Sequence, residues 1–284
     1  MDAWQFEAIG TSWQIGAGEP LTDAAKEEVV VLVDEFDRVW SRFRRDSVIS
    51  QIAAASGEWD LPDEARGLFD FYDQLDEVSG GAVNPLIGRT LADLGYDADY
   101  SLVPVAEPAA VPAWSSIERR GSAVRTTEPV VIDVGAAGKG LLVDLVAALL
   151  DRHVDQFTVD ASGDLFHRGA EPLRVALEHP ADPTRAIGVA ELHPCRALCA
   201  SATNRRSWGH GLHHVLDGRT GRPAVGIVAT WVVADACMVA DGLATAHFLT
   251  APRALMARFQ HEYVCMYADG HVEWSSGFPG EVFV

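Results

Sequence analysis

The 284-residue sequence is poor in cysteine and lysine and lacks long apolar runs. Its four cysteines are too few and too irregularly spaced for a disulfide scaffold. No run approaches the roughly 18 apolar residues that a membrane-spanning helix needs. The beginning, MDAWQFEAIGTSWQIG, has neither the basic and apolar regions of a secretory signal nor a cysteine for acylation. We therefore expect a cytoplasmic location with reduced thiols.

Basic residues are also scarce, because 22 Lys plus Arg face 41 Asp plus Glu and leave a formal net charge of −19. Such a surface repels phosphate backbones and anionic membranes, which argues against nucleic-acid binding and membrane insertion. The hydrophobic share of 48% and the charged share of 22% are typical of a globular protein. The length allows one large or two small domains. We expect one unit over residues 1–284, with room for a smaller subdomain around residues 40–130.

The apolar residues recur with helical spacing in some segments and alternate in others. The patterns predict a helix from Thr22 to about Arg44, a helix from Pro62 to Gly80, a strand over 130–134 followed by a glycine turn and a helix, strands on both sides of Ser162–Asp164, strands at 213–216 and 226–234, a helix capped by Asp235, and a C-terminal hairpin turning at Asp269–Gly270. Hairpins and helices are mixed rather than strictly alternating. This order favours an α+β fold with antiparallel sheets and packed helices over a doubly wound sheet.

The segment GAAGKG, residues 135–140, lies between an apolar run and a helix. Backbone N–H groups at such a turn can approach an anion, and Lys139 would add a positive charge. The spacing is neither that of a P-loop nor that of a Rossmann G-x-G-x-x-G turn. A tight turn that packs the helix closely is the alternative interpretation.

Asp241 and Thr245 lie four residues apart on the last predicted helix, so their oxygens project from one face. A carboxylate beside a hydroxyl suits a hard cation such as Mg²⁺. The alternative is a pair that faces solvent. A second candidate metal site, zinc on His193, Cys195 and Cys199, lacks C-x-x-C spacing and an obvious fourth ligand, so buried inert thiols are the better interpretation there.

The segment HHVLDGRTGRP, residues 213–223, places two histidines on a strand before a polar turn. Alternation puts them on opposite faces, so one of them at most can face a shared site. Histidine is the side chain best suited to move a proton near neutral pH. A polar Gly/Pro turn alone explains the glycines and Pro223, but it does not explain the paired histidines as well. The arginines of SRFRRDSVIS, residues 41–50, are typical of dipole compensation at the end of a helix.

These segments and others occur in the order of one known family. The series is IGT at 9–11, SRFRRDSVIS at 41–50, GGAVNPLIG at 80–88, IDVGAAGKGLLVD at 132–144, ASGDLFHRG at 161–169, HHVLDGRTGRP at 213–223 and VADGLATA at 239–246. It resembles the FAD:protein FMN transferase family, the ApbE-type flavin transferases, over nearly the whole chain. The resemblance implies an ApbE-like α+β fold with a T-fold-like core and neither a Rossmann nor a P-loop unit.

The implied activity is that of a Mg²⁺-dependent enzyme that cleaves the pyrophosphate of FAD. FMN is attached by a phosphoester to a Thr or Ser of an acceptor flavoprotein, and AMP leaves. The residues matched to the family are, for metal binding, Gly138 (through its carbonyl), Asp241 and Thr245; for catalysis, His214, Lys139 and Asp217; and for FAD binding, Ser41, Arg42, Phe43, Asn84, Asp133, Gly135, Lys139, Gly140, Gly163, Asp164, Arg219, Thr220 and Gly221. His214 is our hypothesis for the general base.

The chain departs from the family pattern in a few positions. They are Ala136 for Gly, Gly138 for Ala, Ser162 for the first Gly of G-G-D, Gly218 for Pro in D-P-R-T-G, and Asn84-Pro85-Leu86 for D-P-T. The resemblance still implies an intact metal site, because the contact at position 138 is made by the backbone. The alternatives are an FAD pyrophosphatase that releases FMN and AMP, a flavin-binding protein without catalysis, and an interaction scaffold that binds no flavin.

Overall fold

The computed structural model describes residues 2–283, in which hairpins and helices are mixed along the chain. Its strands are β1 (Asp2–Ala8), β2 (Thr11–Ala17), β3 (Gly57–Asp60), β4 (Glu118–Arg120), β5 (Ala123–Thr126), β6 (Phe157–Asp160), β7 (Asp164–Arg168), β8 (Leu173–His179), β9 (Asp182–Leu192), β10 (Arg196–Ala202), β11 (Ser207–Trp208), β12 (Leu212–His213), β13 (Leu216–Asp217), β14 (Arg222–Pro223), β15 (Ile227–Ala234), β16 (Glu262–Tyr267), β17 (Val272–Trp274) and β18 (Gly280–Val282). Its helices are α1 (Asp23–Trp40), α2 (Val48–Ala54), α3 (Glu64–Ser79), α4 (Gly88–Asp93), α5 (Gly138–Leu150), α6 (Cys237–Ala246) and α7 (Pro252–Arg258). This order confirms the α+β class. Met1 and Val284, the ends of the expected single unit, lie outside the described residues.

An eight-stranded sheet is the largest element, with the order β1-β2-β6-β7-β10-β15-β16-β17. Every neighbouring pair in it is antiparallel. A three-stranded sheet joins β8 and β9 to β18, and another joins β3, β5 and β4. Because neighbouring strands run in opposite directions, short turns rather than helical crossovers can connect them.

The large sheet is buried on both faces, which the strand β15 illustrates. Val232 and Ala234 belong to the main hydrophobic core on the side of the helices. Trp231 and Val233 point to the opposite face, where they join a second core with residues of β8 and β9 such as Leu177. The two-residue period of a strand sends alternate side chains to the two cores. As a result, α5 and α6 pack on one face of a sheet whose other face packs against the second core.

The first predicted helix is confirmed with a shorter C-terminus. The Thr22 hydroxyl accepts the N–H of Ala25 at 3.2 Å and caps α1. The helix ends at Trp40 rather than near Arg44, because the backbone of Ser41 is extended. A separate helix, α2, follows, and Ser47 is its N-cap. The next predicted helix is also confirmed, and Gly80 ends α3 in a left-handed conformation with φ of 61°.

The strand predicted over residues 130–134 is wrong. Ile132 and Val134 are buried as the alternating pattern requires, but the segment pairs with no strand of residues 2–283. Its backbone meets the turn at Pro85 instead, where the N–H of Asp133 donates to the Pro85 carbonyl at 2.7 Å. The following glycine turn and helix α5 are as predicted.

Three further predictions concern strands and turns. The strands on both sides of Ser162–Asp164 are β6 and β7, and the C-terminal hairpin of β16 and β17 turns at Asp269–Gly270. The strand predicted over 226–234 is β15, which begins one residue later at Ile227, whereas the strand predicted over 213–216 is split between the ends of β12 and β13.

The prediction that Asp235 caps α6 is wrong. Ala236 occupies the cap position, and the Asp235 carboxylate pairs with Arg196 at 3.1 Å. The N–H groups of Cys237 and Met238 donate instead to Asp144 of α5. The cap of α6 therefore comes from a residue distant in sequence, which local spacing cannot predict.

Neither a helix able to cross a membrane nor a group of three metal-ligating His, Cys, Asp or Glu side chains occurs within residues 2–283. Across residues 2–283, every helix is either too short or too polar to meet the requirement for crossing a membrane. In the same part of the chain, no three His, Cys, Asp or Glu side chains are grouped to hold a metal ion, so His193, Cys195 and Cys199 form no such site. Cys199 is buried as expected, but Cys195 is exposed, so the expectation of buried thiols is wrong for Cys195.

Candidate functional site

A cavity with a volume of about 410 Å³ opens between the N-terminus of α5, the α6 helix and the segments around residues 43, 84 and 214. This volume lies in the range of small-molecule sites, which is ~300–1,000 Å³. The predicted site residues that line it are Phe43, Asn84, Asp133, Gly135, Lys139, His214, Asp241 and Thr245. The fold thus brings together residues that are up to two hundred positions apart in sequence.

The floor of the cavity, by which we mean Lys139, Gly140, Asp164 and Asp241, joins α5 to α6 and β7. The Asp241 carboxylate is only 4% exposed, and its Oδ2 accepts the N–H of Gly140 at 3.0 Å. A Cβ on Gly140 would overlap the carbonyl of Cys237. The absence of a side chain at Gly140 is therefore what lets α5 approach the helix that carries Asp241.

Lys139 is the cation of the floor. Its Nζ lies 2.7 Å from Asp164 Oδ2 and donates to the Ala161 carbonyl at 3.1 Å. Burial lowers the pKa of Lys139, but the Asp164 and Asp241 carboxylates outweigh it, and the net pKa is raised. Lys139 therefore keeps its positive charge at neutral pH, although its side chain is only 23% exposed.

Two buried carboxylates share this one lysine. Burial, and then the charge of Asp164, raise the pKa of Asp241 well above its ordinary value. Asp164 is fully buried, and its Oδ1 accepts no hydrogen bond within residues 2–283. Buried negative charge without a matching cation is costly. With both carboxylates ionised the floor would lack one positive charge, and the raised pKa of Asp241 means that a proton takes its place.

The donor atoms at the floor fit a hard divalent cation. Asp241 and Thr245, one helical turn apart on α6, both line the cavity. Carboxylate, hydroxyl and backbone carbonyl oxygens are the ligands that Mg²⁺ prefers. A bound cation would also stabilise the ionised form of Asp241 beside Asp164. The residues present therefore fit the predicted metal, although Gly138 is buried and lies outside the cavity lining, whereas the neighbouring Ala136 is part of it.

Arg42 and Asp133 hold the wall opposite the floor. The Nε of Arg42 donates to Asp133 at 2.5 Å, and its Nη1 donates to the Tyr96 carbonyl at 2.7 Å. The guanidinium lies 4.2 Å from the ring centroid of Phe43 and so fixes that ring at the cavity. Tyr96 stacks on Trp208 behind it. Arg42 itself is buried behind the lining, and Ser41, which ends α1, is not part of the lining either.

The rim of the cavity, by which we mean Phe43, Arg205, Arg206 and His214, is partly to fully exposed. Its two arginines are exposed; Arg205 pairs with Glu178 at 2.9 Å, whereas Arg206 is in no ion pair within residues 2–283, and its charge is opposite in sign to the net charge of the chain. A positive rim on an acidic protein attracts anionic small molecules to this opening.

The two adjacent histidines face different environments, as strand alternation predicts. His213 is buried, and its Nε2 pairs with the Ala224 carbonyl at 3.0 Å. His214 lines the cavity. Burial and the positive charge of Arg206 lower the pKa of His214 to about 4. The imidazole is therefore neutral at pH 7 and can accept a proton.

The turn after His214 lies outside the cavity lining. Asp217 accepts two hydrogen bonds from the Arg219 guanidinium, at 2.9 and 2.6 Å, and Arg219 lowers the pKa of that carboxylate. Thr220 and Gly221 donate their N–H groups to the Asp217 carbonyl. A Cβ at Gly218 would lie 2.5 Å from the Gly81 carbonyl, which explains a small residue there. These residues shape the neighbourhood of His214.

The remaining predicted residues serve the fold around the site. Asn84 lines the cavity, but its side chain also accepts the Leu86 N–H and donates to the Pro112 carbonyl. Gly163 adopts φ of 106° in the turn between β6 and β7 and lies outside the lining, whereas its neighbour Ser162 is part of it. Gly140 and Asp164 act from beneath the lining.

Several lining residues were missed by the sequence reasoning, among them Tyr72, Tyr96, Arg205 and Arg206. Tyr72 lies on α3 and is fully buried, yet it also borders the cavity. The two arginines follow a strand without any motif of their own. Their sequence signal was weak, because a pair of basic residues in a loop is ordinary on a protein surface.

Comparison with known proteins bears on the same residues. The family described as the ApbE family matches residues 9–267. Two relatives named FAD:protein FMN transferase are 22% identical, in Klebsiella pneumoniae strain 342, and 28% identical, in Treponema pallidum strain Nichols. The first alignment covers 95% of this chain and 86% of the relative, and the second covers 92% and 82%.

Solved structures agree with this result at the level of the fold. The ApbE protein of Thermotoga maritima has a TM-score of 0.86 at 21% identity, covering 99% of both chains. The flavin transferase ApbE of Vibrio cholerae has a TM-score of 0.81 at 22% identity, covering 98% of this chain and 97% of the other. The family match spans most of the sequence, including the floor and the rim. The chain belongs to the ApbE family.

Proposed function

We propose that this protein is an FAD:protein FMN transferase that needs Mg²⁺. It would cleave the pyrophosphate of FAD and attach FMN to a Thr or Ser hydroxyl of an acceptor flavoprotein. One observation carries the proposal: Lys139 at the N-terminus of α5 pairs with Asp164 beside the buried Asp241 carboxylate, in a cavity of small-molecule size. That combination suits a diphosphate together with a divalent cation.

Asp241, Thr245 and a backbone carbonyl of the 135–138 turn would hold the cation. Gly138 was the carbonyl matched from sequence, and the cavity lining now adds Ala136 as a candidate. Bound Mg²⁺ would supply charge neutralisation for the two phosphates. Lys139 would contribute a second positive charge, and Asp164 would hold its ammonium group at the floor.

The proposed transfer forms one bond to phosphorus, breaks another and moves one proton. The acceptor hydroxyl oxygen forms a bond to the phosphorus of the FMN half, and the bond from that phosphorus to the bridging oxygen breaks. AMP leaves with the bridging oxygen. His214, neutral at pH 7, accepts the hydroxyl proton. Phosphoryl transfer needs mainly positioning and charge stabilisation, so one proton acceptor is sufficient.

The wall and rim would hold the rest of FAD. Phe43 and Tyr96 offer aromatic surface, and Arg205 and Arg206 offer positive charge at the opening. Asp133, Asn84 and Gly135 would add FAD contacts from the cavity lining, and Gly163 would shape the turn that brings Ser162 to it. Arg42 supports Phe43 from behind, and Asp217, with Arg219, Thr220 and Gly221, holds the turn that follows His214.

One assay separates this function from its alternatives. Purified protein is incubated with FAD and Mg²⁺, with and without a panel of flavin-free candidate acceptor flavoproteins, and the products are resolved on a denaturing gel and by chromatography. Flavin fluorescence that stays with an acceptor band supports transfer. Free FMN and AMP without a labelled band support a pyrophosphatase, in which water replaces the hydroxyl. Bound but intact FAD supports a binding protein, and no retained flavin supports a scaffold.

A further inference from the structure

The contact between α5 and α6 is closed by a carboxylate that no part of the proposed chemistry uses. Asp144 of α5 accepts two hydrogen bonds from the start of α6. Its Oδ1 accepts the Cys237 N–H at 2.8 Å, and its Oδ2 accepts the Met238 N–H at 2.9 Å. The first N–H groups of a helix have no partner inside that helix. Asp144 therefore supplies the cap that α6 does not provide for itself.

A second bond lies one helical turn away. Gly140 of α5 donates its N–H to Asp241 Oδ2 of α6 at 3.0 Å. Residues 140 and 144 are four apart on α5, and residues 237 and 241 are four apart on α6, so each pair lies on one helix face. Residue 140 meets 241 and 144 meets 237, which means that the two helices run antiparallel along this contact. The two ends of the contact fix both the rotation and the axial position of α6.

We propose that Asp144 is a positioning residue for the metal-binding turn of α6. It holds the helix in the register that directs Asp241 and Thr245 into the cavity. α6 has only ten residues, and Asp241 is in its second turn. Loss of the Asp144 cap would leave the N–H groups of Cys237 and Met238 without partners and free the start of α6 to shift. This inference rests on the proposed function, because it concerns the same cation.

The test compares Asp144→Ala with Asp144→Asn and with Asp235→Ala. Asp235 is the matched control, since it is a carboxylate two residues before α6, is 77% exposed and pairs with Arg196 while Ala236 holds the cap position. Binding of Mg²⁺ in the presence of FAD, and of FAD without Mg²⁺, is measured by titration calorimetry. Thermal unfolding is followed with and without the two ligands.

We expect Asp144→Ala to weaken Mg²⁺ binding by about 10–100-fold, the usual effect of removing a group that orients a metal ligand. FAD binding without Mg²⁺ should change less than about threefold, because Asp144 does not line the cavity. Asp144→Asn keeps one acceptor oxygen and should fall between the wild type and the Ala variant. Asp235→Ala should bind Mg²⁺ as the wild type does.

Unchanged Mg²⁺ affinity in folded Asp144→Ala overturns the inference, even if its melting temperature falls, because stability alone would then explain the residue. An equal loss of Mg²⁺ and FAD binding overturns it as well. If Asp144→Ala does not fold, Asp144→Asn decides the question in the same way. If the wild-type protein binds FAD but no Mg²⁺, the proposed function fails instead, and this result is distinct from the other two.

Discussion

The floor and the rim of the cavity are built in opposite ways. At the floor, two buried carboxylates and one lysine are fixed by backbone and side-chain bonds to three separate elements. At the rim, the arginines are exposed, and His214 stands at the cavity opening. Charge buried at the floor acts strongly because little water screens it, whereas charge at the rim is screened. Under the proposed function, the floor is therefore suited to phosphoryl transfer and the rim to capturing FAD.

The largest effect should come from the floor. Replacing Asp241 by Ala should lower the rate of flavin transfer by about 10³-fold, because the loss of several kcal/mol of charge stabilisation costs tenfold per 1.36 kcal/mol. The rate is measured as covalent flavin fluorescence on the acceptor.

The variant Asp241→Asn is the matched control for this prediction. It retains an oxygen for the Gly140 N–H but not the negative charge, so it should remain as stable as the wild type and still lose activity. Substantial transfer by the Asn variant would show that the charge of Asp241 is not required.

At the rim, His214→Ala should slow transfer by about 10²-fold, which is the low end of the usual contribution of a general base. FAD binding, measured by quenching of flavin fluorescence, should be retained. His210→Ala is the control, because His210 is exposed and lies outside the cavity lining. Full activity of the His214 variant would remove this residue from the mechanism.

A smaller effect is expected from the close packing of α5 on α6 at Gly140 of the floor. Gly140→Ala should lower the free energy of unfolding by about 1–3 kcal/mol, since the added methyl group overlaps the Cys237 carbonyl. Gly67→Ala in α3 is the control, because nothing lies within 4 Å of its added Cβ. Ala is the better helix former, so this second change should raise stability by about 0.5–1 kcal/mol. Both are measured by urea denaturation, and equal effects would contradict the close contact.

The smallest effect concerns the pH dependence of stability. Burial raises the pKa of Asp144 to about 6, because its effect exceeds the lowering of the pKa by the two backbone hydrogen bonds. The folded protein then holds a proton between about pH 4 and 6 that the unfolded chain has released. The contribution of Asp144 to stability is therefore greatest below its ordinary pKa and is lost as the pH rises through about 6.

Urea denaturation at several pH values compares the wild type with Asp144→Asn. The difference in unfolding free energy, wild type minus variant, should fall by about 1 kcal/mol between pH 4 and pH 6, after allowance for partial solvent screening. A difference that stays constant over this range would show that the pKa of Asp144 is not raised.

Local rules predicted those elements whose stability depends on neighbours in sequence. The Thr22 cap, the Gly80 stop and the hairpin around Ser162–Asp164 each depend on a few adjacent residues. The strand predicted over 130–134 failed because a strand requires a partner, and the partner of this segment is the turn at Pro85. The prediction that Asp235 caps α6 failed because the carboxylate that accepts the Cys237 N–H belongs to Asp144, 93 positions away in sequence.

The sequence by itself determined which residue types are available for chemistry: a lysine in a glycine turn, an Asp and a Thr one helical turn apart, and a histidine before a polar turn. It also carried enough of the family pattern to predict an α+β fold. Only the tertiary structure decided that Asp164 pairs with Lys139, that Arg206 lies near His214 and that Asp144 caps the start of α6. Such contacts join segments far apart along the chain, and their energies come from burial and charge in three dimensions, which no local spacing records.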